Sequence, residues 1–211
     1  IQTGSNGDQY EGQFENDLRH GQGIQLWNDG RRYEGEVKNG KIDGYGVMNY
    51  ADGDRYEGEW KNFLEHGQGV YTWTNGNVYK GEYKDGQPHG QGILTLFNGD
   101  QYKGEFKKGK WDGKGIYTSN FQGIYVGEFK DNARNGQGVN TWTSGHAYDG
   151  EWLANQQHGQ GVTTFSNGSR YEGQYKNGKR HGHGIMKFAD GGFYEGEWKN
   201  DKWHGKGVVT W

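Results

Sequence analysis

Cysteine is absent from the 211 residues, which excludes a disulfide framework and a thiolate metal site and fits a reducing compartment. Proline occurs once, at Pro88. No window carries a helical period with caps, so helix is expected to be nearly absent. Leu, Ile, Val and Phe number only 31, about 15%, below the roughly 20% at which disorder becomes a serious reading. A disordered chain, however, carries high net charge and few aromatics, whereas here the formal charge is −3 and aromatics make up 16%. Burial must therefore come from Tyr, Trp and Phe laid against glycine. No stretch approaches the roughly 20 apolar residues of a membrane span, and the opening IQTGSNGDQY has neither a charged leader nor an apolar run. The expectation is a soluble, cytoplasmic chain, on a cytoskeletal element or at the cytosolic face of a membrane. Asn167-Gly168-Ser169 fits a glycosylation acceptor but reads as turn chemistry.

What is present is one pattern written nine times. Its model is YEGEWKNFLEHGQGVYTWTNG, from Tyr56 to Gly76, and copies open at Tyr10, Tyr33, Tyr56, Tyr79, Tyr102, Tyr125, Tyr148, Tyr171 and Tyr194 with a fixed spacing of 23 residues. A fixed period of about 20 to 50 residues marks an array of units that stack on their neighbours. Counting the tyrosine as zero, glycine fills offsets 2, 11 and 13 in every copy. Offset 4 is aromatic in eight copies and valine in one, Val37, and offset 14 is always Ile or Val. Residues 1–9 are the end of an incomplete preceding copy and residues 10–211 are the nine copies, the last one truncated at Trp211. Both ends lie inside the array, so the natural protein is expected to be longer.

Tyr56, Gly58 and Trp60 alternate with Glu57, Glu59 and Lys61, the period of two of a strand with one apolar and one charged face. Gln68 to Trp73 form a second β-prone run, so each copy is a hairpin. A two-residue Asn-Gly turn between copies would put Val70 and Thr72 on the face of Tyr79. A three-residue turn with left-handed glycine would put Trp73 there instead. The second is favoured because it gathers Tyr, Trp and the glycines on one face, although it leaves the aliphatic column on the charged side. The fold expected is all-β: an elongated, twisted, open antiparallel sheet of about 18 strands spaced about 4.8 Å apart, bent into a trough with a concave aromatic face. Copies five and six break the pattern at Thr118-Ser119-Asn120-Phe121-Gln122-Gly123, where the glycine comes one place late and Ser119 takes an aromatic slot. The turn must change there.

The residues YEGEWKN and HGQGVYTW, with their period, resemble the MORN repeat family, the membrane occupation and recognition nexus repeats, over essentially the whole chain. The resemblance implies β-hairpin arrays that target, dimerise or bind partners, with chemistry supplied by other domains.

Histidine holds offset 10 in six copies, His20, His66, His89, His158, His181 and His204. Equivalent positions lie two strands, about 9.6 Å, apart, too far to share a zinc ion whose ligands sit about 2 Å from it. They read as loop residues, and no metal or cofactor is expected. The Gly-x-Gly pairs precede no helix and so are not a nucleotide fingerprint, and no carboxylate pair or nucleophile stands out from the repeat. The chain is expected not to be an enzyme. The function expected is a scaffold or adaptor that binds protein partners and associates with itself. Its partner-binding trough is read as Tyr56, Trp60, Trp73, Tyr79, Tyr83, Tyr102, Phe106, Trp142, Tyr148 and Trp152. An uncapped last copy suggests a twofold dimer through Tyr194, Trp198, Trp203 and Trp211. The alternative is recruitment to phosphoinositide membranes, as the regulatory part of a larger lipid kinase, through Lys38, Lys61, Lys84, Lys107, Lys130, Lys176 and Lys199. The Glu columns at offsets 1 and 3 argue against it by salt-lacing that face, and with a pI near 6.3 they also argue against nucleic acid.

Overall fold

The computed structural model describes residues 2–211. Nineteen antiparallel strands belong to one open sheet, and the described residues contain no helix. The strand beyond the expected 18 is Gln2–Thr3, from the incomplete copy ahead of Tyr10, which pairs with Gln9–Glu15.

The third copy shows why the sequence folds this way. Its first strand, Arg55–Lys61, buries Tyr56, Gly58 and Trp60 and exposes Glu59 and Lys61. It turns into Leu64–Thr72 through Asn62 and Phe63, both left-handed, with φ of 48° and 68°. This is a two-residue turn of type I′ geometry, whose twist matches that of the strands it joins. Every copy makes the same turn, from Asn16-Asp17 to Asn200-Asp201.

The connection to the next copy is different. The Trp73 N–H donates to the Asn77 carbonyl (3.0 Å) and the Gly76 N–H to the Trp73 carbonyl (2.9 Å), with Gly76 at φ +88°. The loop is therefore Thr74-Asn75-Gly76 with a left-handed glycine, as the three-residue reading requires. It sets Tyr71 opposite Tyr79 and Val70 opposite Lys80. The Tyr, Gly and Trp columns thus share one face, and the Ile/Val column lies among the charges.

The strands group into two compact units, one running to Gly99 and including Glu105–Gly109, the other comprising Asp100–Gly104 and Lys110–Trp211. In the first, Tyr10, Tyr33, Tyr56 and Tyr79 are fully buried. In the second, Tyr102, Tyr125, Tyr148 and Tyr171 are fully buried. An aromatic side chain removes about 150–250 Å² from water, so at about 25 cal/mol per Å² each ring contributes about 4–6 kcal/mol before conformational entropy opposes it.

The glycines make that burial possible. Gly58 lies opposite Gly69, and a Cβ on Gly69 would sit 2.5 Å from Tyr56 Cε2 and 2.6 Å from its Cζ. The ring therefore lies flat over a pair of glycines, and its hydroxyl donates to the Glu59 carbonyl (2.9 Å). Around it, Trp60 of its own copy and Tyr83 of the next stand edge-on, at 4.9 and 5.1 Å between centroids. In the second unit Tyr148 is flanked in the same way by Trp152 (5.2 Å) and Tyr175 (5.1 Å).

Adjacent copies are also tied by backbone groups. Trp60 Nε1 donates to the Gly46 carbonyl (3.2 Å), Trp152 Nε1 to Gly138 (2.9 Å) and Trp198 Nε1 to Gly184 (3.0 Å). The second residue of the I′ turn donates its N–H to the preceding copy, as Phe63 does to Ile42 (2.9 Å) and Asp201 to Arg180 (3.0 Å). At the irregular loop, the strand Lys110–Ser119 runs on so that Ser119 opposes Gly123. The Ser119 Oγ accepts the N–H groups of Phe121 and Gln122, both at 3.3 Å.

Candidate interaction face

The aromatic face is not an open row of rings. Of the ten trough residues read from the sequence, Tyr56, Trp60, Tyr79, Tyr83, Tyr102, Phe106, Tyr148 and Trp152 are all buried. Only Trp73 and Trp142 are partly exposed. The eight are the packing of the repeat itself, because each tyrosine is closed in by the glycine pair beneath it and by rings from two copies. Burial pushes the hydroxyls of Tyr56, Tyr79, Tyr83 and Tyr148 above the ordinary tyrosine value, and it lifts Tyr125 and Tyr175 to about 12.

A second layer covers this one, built from three columns of the second strands. Offset 15 lies opposite the tyrosine, as in Tyr56↔Tyr71, and offset 9 lies opposite the offset-4 ring, as in Trp60↔Glu65. Offset 17 follows the strand on the same face, as Trp73 against Tyr71. These columns differ from copy to copy. Offset 9 reads Arg19, Ile42, Glu65, Pro88, Trp111, Arg134, Gln157, Arg180 and Trp203, while offset 15 reads Gln25, Met48, Tyr71, Leu94, Tyr117, Asn140, Thr163, Met186 and Val209. Where it is Arg or Trp, the offset-9 side chain lies on the tyrosine. Arg19 sits 4.9 Å over Tyr10 in the first unit, and Trp111 stacks on Tyr102 at 4.3 Å in the second. Sequence reasoning passed over offset 9, although its position opposite an aromatic column could have placed it there.

Cavities open between these side chains. In the first unit one of about 130 Å³ lies among Arg19, Gln25, Trp27 and Ile42. In the second, one of about 320 Å³ lies among Trp142, Gln157, Thr163, Phe165 and Arg180. Another, also of about 320 Å³, lies among Trp111, Tyr117, Gln122 and Arg134.

The opposite face departs from its salt-laced reading. Glu59 Oε1 accepts the Gln68 N–H (2.8 Å), Glu151 accepts Gln160 (2.8 Å) and Glu197 accepts Lys206 (3.1 Å). The offset-3 carboxylates thus close the backbone where the second strand bulges, rather than pairing with lysine. The arginine ion pairs on this face run to the offset-1 glutamate, as in Arg32–Glu34 (2.6 Å) and Arg55–Glu57 (2.7 Å). All seven offset-5 lysines are exposed, and none forms an ion pair among the described residues. The histidine column stands beside the bulge, His66 opposite Glu59. No group of three or more His, Asp or Glu among the described residues is arranged to hold a metal. Ser144 Oγ comes within 2.8 Å of His146 Nδ1, but both sit in an exposed loop two residues apart and the described residues bring no carboxylate to the histidine.

At the chain end, Tyr194 and Trp198 are buried, while Trp203 and Trp211 are exposed by 44% and 83%. The proposed dimer surface therefore splits, two residues belonging to the core and two to the surface. Trp203 lies parallel to Tyr194 at 4.4 Å, and Trp211 stacks on Phe188 at 6.0 Å.

A family model described as the MORN repeat matches residues 10–31, 33–55, 56–78, 79–101, 102–120, 125–147, 148–170, 171–193 and 194–211. Its fifth match stops inside the irregular loop. Comparison with curated proteins gives no match. Among solved structures, the wild-type TCP10 domain of Danio rerio CPAP in complex with a peptide of Danio rerio STIL is 15% identical, with a TM-score of 0.52 over 90% of this chain and 84% of that one. The same domain without the peptide is 12% identical, with a TM-score of 0.52 over 99% and 97%. The G-box domain of the microcephaly protein CPAP is 14% identical, with a TM-score of 0.53 over 90% and 99%. At these identities the likeness is one of fold.

Proposed function

This chain belongs to the MORN repeat family, and from that premise we propose that it is a non-enzymatic scaffold whose variable face receives a segment of a partner protein and whose last copy associates with a second copy. The observation that carries the reading is the split between columns. Tyr, Gly and the offset-4 rings repeat because they are the core, while offsets 9, 15 and 17 vary on top of it, which is how a regular array distinguishes one partner from another. The variable layer is rich in Trp, Tyr and Arg, the residue types that anchor interfaces. A sheet of this fold in the Danio rerio CPAP domain carries a peptide, which lends support by analogy. Self-association rests on the last strand, Lys202–Thr210, which is exposed along its whole length. Uncovered edges tend to pair with another chain. We place the scaffold in the cytoplasm, at a cytoskeletal or membrane-proximal position. Crosslinking and pull-down should recover a protein partner that is lost when Trp73 and Trp142 are changed to Ser. Failure to recover any partner, with no self-association at about micromolar concentration, would contradict the reading.

A second reading, recruitment to anionic membranes, is favoured by the exposed lysines, whose offset-3 glutamates are engaged with backbone. Flotation with phosphoinositide vesicles at physiological salt separates the two. The scaffold reading expects little binding, and robust binding abolished by Lys→Glu changes along the column would favour the membrane.

A further inference from the structure

Two arginines occupy equivalent places in copies six and eight of the second unit. Arg134 and Arg180 each lie over a tyrosine at 5.7 Å, Tyr125 and Tyr171, and over the next copy's tryptophan at 4.5 Å, Trp152 and Trp198. In copy eight the guanidinium has a counterion. Asp201 Oδ1 accepts both the Arg180 N–H and its Nε–H at 3.0 Å, and the Asp201 carbonyl accepts Nη2 at 3.3 Å.

For Arg134 the residue in the place of Asp201, at offset 7 of the following copy, is Asn155. Its Oδ1 accepts the Arg134 N–H at 2.8 Å, and the Arg134 side chain is left with one hydrogen bond, from Nη1 to Asn140 Oδ1 at 3.0 Å. No carboxylate pairs with it among the described residues. Asn140 is itself only 3% exposed, and its Nδ2 has no acceptor. An amide donor without an acceptor therefore meets a guanidinium without a carboxylate, where burial disfavours the charge and holds the Arg134 pKa below the ordinary arginine value. A half-buried cation without a counterion is costly.

Beside Arg134 lies the cavity of about 320 Å³ walled by Trp111, Tyr117, Phe129 and Gln122. It adjoins the irregular loop, where Ser119 replaces the ring that ends the second strand in most copies. Asp100 reaches this cluster through the Tyr117 hydroxyl, which it accepts at 2.8 Å.

We propose that Arg134 and the adjoining aromatic cavity form a recognition site for an acidic side chain of a bound protein segment, with an apolar neighbour of that residue seated among Trp111, Tyr117 and Phe129. A carboxylate rather than a phosphate is assigned because copy eight, with the same arginine stacked in the same way, supplies an aspartate from its own chain. The site rests on the reading that this face receives a protein segment, and it names the chemistry that sets the register of that segment. A bonded carboxylate also satisfies the fork of the guanidinium, which a single amide oxygen does not.

The test is selection of a phage-displayed library of random linear peptides on the full chain, followed by titration of the most enriched peptide. Enriched sequences should share an Asp or Glu next to an apolar residue. Changing that acid to its amide should weaken binding at least about tenfold, as should Arg134→Gln. Asn155→Asp keeps the arginine and installs the carboxylate that copy eight already tolerates, so the chain should fold and lose the acidic preference to the same degree. Enriched peptides without an acid, bound alike by wild type and Asn155→Asp, would overturn the site while leaving a protein-binding face intact. No enrichment at all would overturn both. Inorganic phosphate that displaces the peptide at lower concentration than acetate does would overturn the carboxylate assignment.

Discussion

Copies eight and nine share the repeat pattern and differ in their surroundings. In copy eight, Tyr171 is fully buried, with Trp198 of the following copy edge-on against it at 5.2 Å. Met186, across from it on the second strand, is buried as well. In copy nine no further copy packs on the second strand among the described residues. Trp203 lies over Tyr194 where Arg180 lies over Tyr171, and Val209, the counterpart of Met186, is 42% exposed, with Val208 at 63%. Burial of the offset-15 column is conferred by the next copy, so Met186 is core where Val209 is surface.

Alkaline pH should act hardest on the interior. Burial raises the tyrosine hydroxyls of the interior copies, so their contribution to stability is fully present below about pH 10, the value for an unfolded tyrosine. It is lost as pH climbs toward the folded values, about 12 for Tyr125 and Tyr175. Tyrosinate absorbance and circular dichroism should therefore change together above about pH 10. Early ionisation without loss of structure would contradict the buried assignment.

Substitutions sharpen the contrast between the two copies. Trp198→Ala removes a buried ring and its bond to the Gly184 carbonyl and should cost about 3–5 kcal/mol. Trp203→Ala should cost about 1 kcal/mol, since its ring is half in water, and denaturant titration compares them. Gly184→Ala places a methyl against Tyr171 and should cost about 3 kcal/mol or more. Gly207→Ala should cost clearly less, because the last strand can move off Tyr194 without disturbing another copy. Equal costs would mean that the end is as constrained as the interior. The smallest effect is at a turn. Ala154 is left-handed (φ 47°) in the first position of its I′ turn, and Ala154→Gly should stabilise by about 0.5–1 kcal/mol through relief of that strain.

Much of this was legible in the sequence, because the 23-residue period states the same constraints nine times. The alternation from Tyr56 to Lys61 gave the strand, and the spacing of Gly76 gave the loop and hence the face of Trp73. The I′ turn was also written, in Asn39-Gly40 and Asn177-Gly178, but Phe63 and Ala154 hide it in other copies. The role of the aromatic column was misjudged for a physical reason. A period of two says that Tyr56 and Trp60 share a face, yet it does not say that glycine opposite glycine lets the ring lie down and be covered. Offset-3 glutamate likewise looks like a surface charge until the bulge at Gly67 shows the N–H it accepts. The pairing of Arg180 with Asp201 joins offset 9 of one copy to offset 7 of the next, a contact that only the register between hairpins reveals.

Hydrogen exchange across protein concentration tests most directly the claim that each copy is closed by its neighbour. At about 1 μM, below the micromolar dissociation constants of ordinary interfaces, the amides of Lys202–Thr210 should exchange far faster than those of Lys179–Lys187. At about 100 μM a second copy should cover the last strand and slow it, while the interior strand stays unchanged. Equal protection of the two strands at the low concentration would contradict the account, as would a last strand indifferent to concentration.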